Sequence, residues 1–221
     1  MGRLAIRRVV YSGDKYSFES PYLNDGIVIM EGVNGHGKST FMNLIYYGLG
    51  GRVQAFNKND DNDSKKHNEI FYDTNNYVEL LIEIDDEKYE LTRYIGDNLI
   101  FVVGEDEEVR ETCVLRNQSD EHTMVFSDWI LGKLNINVFD IVQGTRSFKL
   151  NFTDLLRLVY HDQETEVDKV YKEADNSNFL SDSLEIRKAI FEILLGKTYN
   201  DYYSTLGQYK LTMKELEKAQ A

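Results

Sequence analysis

The sequence predicts an α/β fold, and three features support this. A short apolar run over 27–30 precedes a glycine-rich octapeptide over 32–39, and residues 41–47 are apolar at helical spacing. Between 77 and 103, apolar and polar residues alternate in segments that acidic turns separate, which predicts antiparallel strands. Near the end, apolar residues recur every three or four positions. Together these patterns predict one domain over 1–198 and the start of a helical arm over 199–221.

The octapeptide has a phosphate-binding pattern. It is Gly32-Val33-Asn34-Gly35-His36-Gly37-Lys38-Ser39 and matches G-x-x-x-x-G-K-[ST], the P-loop. Its glycines let successive N–H groups turn toward one anion, and the N-terminus of the following helix faces the same point. We expect Lys38 to neutralise the β- and γ-phosphates and Ser39 to ligate Mg²⁺. The predicted ATP-binding residues are Asn34, Gly35, His36, Gly37, Lys38, Ser39 and Thr40.

Composition limits the classes of protein that fit. The 221 residues are 42% hydrophobic, enough to form a core. The net charge of −13 and the pI of about 4.8 argue against a generally basic nucleic-acid coat, but leave room for a local basic patch or for partner contacts. Cys113 is the single cysteine, so an intrachain disulfide is impossible and a reducing cytosol is expected. No apolar run has membrane-spanning length, so a cytoplasmic protein without a membrane association is predicted.

Local patterns predict the elements around the P-loop. Strands over 4–10 and 16–19 form a hairpin, and 27–30 forms a buried strand that leads into the P-loop. Glycines over 48–51 end the P-loop helix. The polar stretch over 57–68 is predicted to be a mobile surface loop. In it, His67 is interpreted as a solvated residue rather than as a metal ligand beside the aspartates Asp60, Asp61 and Asp63.

The remaining segments predict a series of strands, helices and one loop. The strands lie over 77–84, 88–95 and 99–103, and a helix opens near Ser127, which is the predicted N-cap. Residues 153–160 form a helix or a strand, 165–178 a loop and 183–195 a striped helix. The final helix has an apolar seam with coiled-coil spacing; the seam residues are Tyr199, Tyr202, Leu206, Tyr209, Met213 and Leu216. A terminal amphipathic helix that packs on the domain is the alternative for this seam.

Two motifs that complete an ATPase site are missing from the sequence. A Walker B acid closes an apolar run on a core strand and helps to hold Mg²⁺. The nearest match, LLIEIDD over 80–86, is interrupted by Glu83, so a hairpin turn at Asp85 and Asp86 is the better interpretation. The stretch YSTLGQ over 203–208 is a poor match to an L-S-G-G-Q signature. The sequence therefore predicts half of an ATP site.

The order of P-loop, β-meander and outgoing coiled coil resembles the structural-maintenance-of-chromosomes (SMC) family and its SbcC-type repair relatives. The form G-x-N-G-x-G-K-[ST], with Asn34, looks like the Walker A motif of this family, although His36 stands where a small residue is usual. The resemblance covers essentially the whole chain. It implies a P-loop NTPase of the ABC/SMC type, in which this chain is the N-terminal half-head with an antiparallel β-lobe. A coiled coil then leads to a C-terminal half that carries the signature and Walker B.

Heads of this kind also contain a Q-loop glutamine that ligates Mg²⁺ and senses the γ-phosphate. The two candidates are Gln163 and Gln143, which lies in an I-V-Q-G context. Gln163 is preferred because the helix from 183 and the heptad helix follow it in the order that such heads show. The resemblance thus implies Lys38 and Gln163 as catalytic residues, and Ser39 and Gln163 as Mg²⁺ ligands.

The resemblance implies a function and several partners. ATP binding and hydrolysis drive head engagement on DNA, in repair, chromosome maintenance or defence against phages and plasmids. The partners are the C-terminal half-head of the same protein, a second head that forms a homodimer around ATP, DNA, and accessory subunits or a nuclease. The stretch LLRLVYHDQET over 155–165 looks most like SMC-like ATPases of bacterial anti-phage and anti-plasmid systems, the Lamassu type among them.

Two alternatives stay open from the sequence. A standalone P-loop switch or transferase needs a Walker B acid or a lid within the chain, and neither is found. A non-hydrolysing assembly module that binds ATP structurally fits the same residues. The sequence does not separate it from a hydrolysing half-head, because the hydrolytic acid is expected elsewhere.

Overall fold

The computed structural model describes residues 2–57, 66–105, 110–115, 123–136, 140–143, 146–162, 165, 168, 170–172, 184–195 and 200–220. The chain divides into two compact units, one over Gly2–Leu134 and the other from Asn135 onward. The P-loop and the β-meander belong to the first unit.

The first unit contains a six-stranded antiparallel sheet in the order β2-β1-β3-β4-β5-β6. Its strands are β1 (Leu4–Ser12), β2 (Ser17–Glu19), β3 (Tyr77–Ile84), β4 (Glu87–Tyr94), β5 (Leu99–Gly104) and β6 (Arg110–Val114). Five of the six strands predicted for this region are confirmed to within two residues at each end. The alternating pattern explains this, because every second residue of β3 is buried from Val78 to Ile84.

The β3–β4 connection is a two-residue hairpin turn. Ile84 pairs with Glu87, and the two residues between them, Asp85 and Asp86, have φ angles of +48° and +72°. Positive φ at both central positions is the type I′ geometry that matches the twist of a hairpin. Glu83 accepts two hydrogen bonds from Arg7, at 3.0 Å from Nε and 2.8 Å from Nη2. The hairpin interpretation of this segment is confirmed, and Glu83 has a structural partner.

Helices of the first unit are α1 (Lys38–Gly48), α2 (Asn68–Phe71) and α3 (Phe126–Lys133), with a 3₁₀ turn over Gln54–Phe56. Helix α1 contacts β1, β3 and β4. A β-carbon at Gly48 would lie 2.5 Å from Leu80 Cδ1, so α1 can approach β3 this closely because residue 48 is glycine.

The prediction that Ser127 caps α3 is wrong: Val125 occupies the cap position, and Ser127 is buried in the first turn. Val125 is held extended by a bridge to Val114, which fixes where the helix can begin.

The first hairpin is fixed by a buried carboxylate. Asp73 accepts hydrogen bonds from Tyr11 Oη (2.9 Å) and from the backbone N–H groups of Lys15 (2.9 Å), Tyr16 (3.3 Å) and Thr74 (3.0 Å). Burial alone would raise the pKa of Asp73, but these bonds outweigh burial and lower the pKa below its ordinary value. The ionised carboxylate therefore joins the β1–β2 turn to the chain that enters β3.

The predicted strand over 27–30 does not form. These residues have no strand conformation, and none of the described strands pairs with them. Ile27 is 93% exposed and Ile29 is 85% exposed, while Val28 and Met30 are also exposed. An apolar run becomes a strand only when a neighbouring strand supplies hydrogen bonds, and the local sequence cannot show whether that neighbour is present.

Within its described residues, the second unit contains a short hairpin and three helices. Its elements are β7 (Asp140–Gln143), β8 (Arg146–Lys149), α4 (Phe152–Val159), α5 (Leu184–Leu194) and α6 (Asn200–Gln220). Helix α4 begins with a capping box, in which Asn151 accepts a bond from Thr153 N and Asp154 accepts one from Asn151 N. This resolves the helix-or-strand alternative for 153–160 as a helix. The helices predicted over 183–195 and from 199 are also confirmed.

Candidate nucleotide-binding site

The P-loop has the backbone conformation that its glycines permit. Gly35 and Gly37 have φ angles of +86° and +81°, which side chains other than glycine rarely adopt. Gly37 is the N-cap of α1, and no side chain caps this end of the helix. The first backbone hydrogen bond of the helix runs from Phe41 N to Gly37 O at 2.8 Å. The N–H groups of Lys38, Ser39 and Thr40 therefore precede the helical hydrogen-bond ladder and can point to an anion.

Lys38 folds back over the loop. Its Nζ donates to Gly32 O at 2.6 Å and to Val33 O at 3.0 Å. The turn is closed further by a bond from His36 N to Val33 O at 3.3 Å. These contacts hold the ammonium group against the carbonyls at the start of the loop, and the left-handed glycines follow within the same loop.

The other predicted binding residues lie in the same loop and at the start of α1. Asn34, Gly35, His36, Gly37 and Ser39 are exposed, while Lys38 and Thr40 are half-buried. An exposed Ser39 hydroxyl next to the lysine fits Mg²⁺, since this ion keeps several waters and takes one or two protein oxygens beside the phosphates. The residues present therefore fit both a nucleotide phosphate chain and its Mg²⁺.

Arg93 anchors the opposite end of the P-loop helix. Its Nη1 donates to Tyr47 O at 2.7 Å and to Gly51 O at 2.8 Å, and its Cζ lies 3.7 Å from the centre of the Tyr47 ring. Burial lowers the pKa of this guanidinium to about 10. A cation at the C-terminus of a helix also interacts favourably with the helix dipole.

Helix α1 ends in a Schellman motif, as the glycines over 48–51 predict. Gly50 has a φ angle of +90°, Gly51 N donates to Tyr46 O, and Gly50 N donates to Tyr47 O. The predicted role of the glycines is confirmed for Gly50. No local pattern indicates the role of Arg93, because it lies 46 residues from Tyr47 on a different element.

His67 is not a solvated loop residue, so that interpretation is wrong. Its side chain is 29% exposed, and its Nε2 lies 2.9 Å from Thr40 Oγ1. Asp60, Asp61 and Asp63 lie outside the described residues. In the part of the chain that the structure describes, no cluster of three or more acidic, histidine or cysteine side chains could hold a metal ion.

The two candidate Q-loop residues belong to the second unit. Gln163 lies outside the described residues. Gln143 is the last residue of β7. Neither assignment is tested by the structure, and the preference for Gln163 stays a prediction.

The comparison with known families identifies the chain. A family model described as an AAA domain matches residues 14–220, which includes the P-loop and α6. The chain belongs to this family. It is the AAA domain found in SMC- and SbcC-type ATPases. The comparisons with curated proteins and with solved structures found no match to the chain.

Membership in the AAA-domain family agrees with the geometry of the P-loop. This AAA domain is of the nucleotide-binding ATPase type, consistent with ATP binding. Across its described residues, no helix has both the length and the apolar character that a bilayer crossing requires.

Proposed function

We propose that this AAA domain is the ATP-binding N-terminal lobe of an SMC-like ATPase, whose ATP-driven head engagement acts on DNA. The observation that carries the proposal is the formed P-loop, in which Lys38 Nζ donates to two carbonyls of the loop and the glycines at 35 and 37 have left-handed backbone. This arrangement supports phosphate binding without any rearrangement of α1, because the helix and its N-terminal N–H groups are already in place.

Each residue of the proposed site has a defined task. Lys38 neutralises the β- and γ-phosphates, and the N–H groups at the start of α1 hold the same oxygens. Ser39 supplies one hydroxyl ligand to Mg²⁺, and we propose Gln163 as the second protein ligand. When bound, Mg²⁺ neutralises charge between the β- and γ-phosphates.

The exposed apolar run over 27–30 supports the half-head part of the proposal. Four consecutive apolar side chains next to the P-loop are exposed, an unusual surface for a finished domain. Their backbone has no strand partner among the described strands, so a strand from a second segment could add to it. We propose that the C-terminal half-head supplies this strand, together with the signature and the Walker B acid.

The outer surface of α6 supports the proposed coiled-coil arm. Tyr209, Met213 and Leu216 share the predicted seam, and all three side chains are exposed. An antiparallel return helix would bury them by knobs-into-holes packing. We propose that residues from 199 onward begin this arm, and that residues up to 198 form the half-head.

The DNA-directed part of the proposal must agree with a net charge of −13. A chain this acidic repels DNA over most of its surface, so contacts must come from a local basic patch, a second head or an accessory subunit. Repair, chromosome maintenance and defence against phages or plasmids are the proposed settings. DNA binding by the complete complex should weaken steeply with salt, since phosphate contacts release counterions.

Nucleotide binding to chain 1–221 tests the P-loop assignment. Lys38→Ala should abolish ATP binding measured by calorimetry and leave the circular dichroism spectrum unchanged, because Lys38 contacts loop carbonyls rather than the core. Lys210→Ala on the exposed face of α6 is the matched control and should bind like the wild type. Equal ATP affinity in Lys38→Ala and the wild type would contradict the assignment.

Steady-state turnover separates the half-head from the standalone enzyme. Chain 1–221 should hydrolyse ATP negligibly, and addition of the C-terminal half-head should restore hydrolysis. A turnover near ~1 per second, within the ordinary range for enzymes, from the pure chain would favour a standalone P-loop enzyme. ATP binding without hydrolysis after both halves are combined would favour the structural assembly module.

A further inference from the structure

The first turn of the P-loop helix touches the end of the polar loop. Thr40 Oγ1 lies 2.9 Å from His67 Nε2, although the two residues are 27 positions apart. Thr40 follows Ser39 directly and is the third residue of α1, so it lies at the phosphate end of the helix. This contact joins the predicted nucleotide site to the chain that leaves the polar stretch.

Both the backbone and the imidazole ring of His67 are held by contacts within the first unit. His67 N donates to Ala55 O at 3.1 Å, and His67 O accepts from Ile70 N at 3.1 Å and from Phe71 N at 2.8 Å. The ring packs edge-on against Phe56, with ring centres 6.4 Å apart. A side chain fixed in this way can impose an orientation on its partner, rather than follow it.

The threonine needs such a partner to hold one orientation. In a helix, threonine divides between two rotamers, because its hydroxyl can bond to a carbonyl of the preceding turn. A fixed imidazole nitrogen at 2.9 Å selects the rotamer that keeps the hydroxyl at the helix N-terminus. When Nε2 carries the proton, it donates to Oγ1 and leaves the hydroxyl proton for another acceptor; otherwise Oγ1 donates to Nε2.

The surroundings of the second ring nitrogen are acidic. The Glu69 carboxylate lies 3.2 Å from Nδ1, close enough for electrostatic attraction, though without the geometry of a hydrogen bond. The imidazole thus has a defined partner at Nε2 and an acidic neighbour at Nδ1.

We propose that His67 is a positioning residue for phosphate binding, because it fixes the Thr40 hydroxyl beside the P-loop. The inference rests on the proposed nucleotide binding at the P-loop. The ligand is a phosphate oxygen of a nucleoside di- or triphosphate. With the proton on Nε2, the Thr40 hydroxyl accepts from His67 and donates to that oxygen, beside the adjoining N–H groups of α1. His67 itself does not touch the nucleotide.

A double-mutant cycle on chain 1–221 tests this coupling, with the dissociation constant for ADP measured by calorimetry. His67→Ala and Thr40→Val should each weaken binding about tenfold, the size of one hydrogen bond to a charged group. The double variant should bind about as weakly as either single variant, since both remove the same contact. His67→Gln should restore most of the affinity, because its amide reaches the Nε2 position and can donate or accept; His67→Asn is too short and should not.

Other outcomes would overturn the proposal. If the losses in His67→Ala and Thr40→Val simply add, His67 acts by a route other than Thr40. If His67→Ala lowers Tm but binds ADP like the wild type, its role is structural. Lys38→Ala separates these results from failure of the proposed function. If the proposed function fails, the wild type and Lys38→Ala will both fail to bind ADP, and the inference about His67 fails as well.

Discussion

Replacing Arg93 by methionine removes the cation that joins β4 to the C-terminal end of the P-loop helix. The guanidinium donates two short bonds to the carbonyls of Tyr47 and Gly51. Hydrogen bonds that involve a charged group contribute about 1.5–3 kcal/mol each, so the pair contributes about 3–6 kcal/mol. Stacking over the Tyr47 ring adds about 1 kcal/mol.

Burial of the charge offsets part of this stabilisation. The fall in the pKa of Arg93 from 12.5 to about 10 corresponds to an unfavourable contribution of about 3 kcal/mol. The net loss in the free energy of unfolding on Arg93→Met is therefore about 1–4 kcal/mol. For a chain of 221 residues, each kcal/mol shifts Tm by roughly 2–4 °C. For the middle of this range, the expected decrease in Tm is about 5–10 °C.

Differential scanning calorimetry at neutral pH measures this change. Arg93→Lys should lose less, because it keeps the charge at the helix terminus but lacks the planar fork that bonds two carbonyls. Arg52→Met changes an exposed arginine next to Gly51 and serves as the control, with a Tm close to that of the wild type. If Arg93→Met melts within ~2 °C of the wild type, the calculation from these two carbonyl bonds is wrong.

Two further predictions concern hydrolysis and acid stability. Gln163→Ala should reduce hydrolysis in the completed head far more than ATP binding, since the P-loop keeps most phosphate contacts; loss of activity in Gln143→Ala alone would instead assign the Q-loop to Gln143. Because the fold lowers the pKa of Asp73 below 3.8, its stabilisation is full above that pH and is lost as pH falls through the lower native value. Thermal melts should therefore show Tm decreasing below about pH 4 in the wild type and a weaker dependence in Asp73→Asn, while parallel curves would exclude Asp73 as a source of acid lability.

Local patterns predicted the elements whose stabilising contacts lie nearby in the sequence. The β-meander follows from alternation, since β3 and β4 pair across a turn of two residues. The P-loop follows from its glycines, because positive φ at Gly35 and Gly37 is a property of those residues themselves. The Schellman end of α1 follows from Gly50 in the same way.

Features that depend on distant partners could not be predicted. Arg93 meets Tyr47 across 46 residues, and His67 meets Thr40 across 27 residues, so no spacing in the sequence indicates either pair. The strand expected over 27–30 failed for a related reason. Its apolar composition predicts burial, but burial depends on a neighbouring strand that hydropathy does not identify.

The position of the exposed run next to the P-loop has a thermodynamic consequence for the proposed half-head. Residues 27–30 are followed two positions later by Gly32, whose carbonyl accepts a bond from Lys38 Nζ. A strand that covers this run will restrict the backbone from which the phosphate-binding loop begins. If that restriction raises the affinity for ATP by some factor, bound ATP must raise the affinity for the covering strand by the same factor, because coupling free energies are reciprocal. Under the proposed half-head arrangement, phosphate binding at the P-loop would thus favour assembly of the complete head.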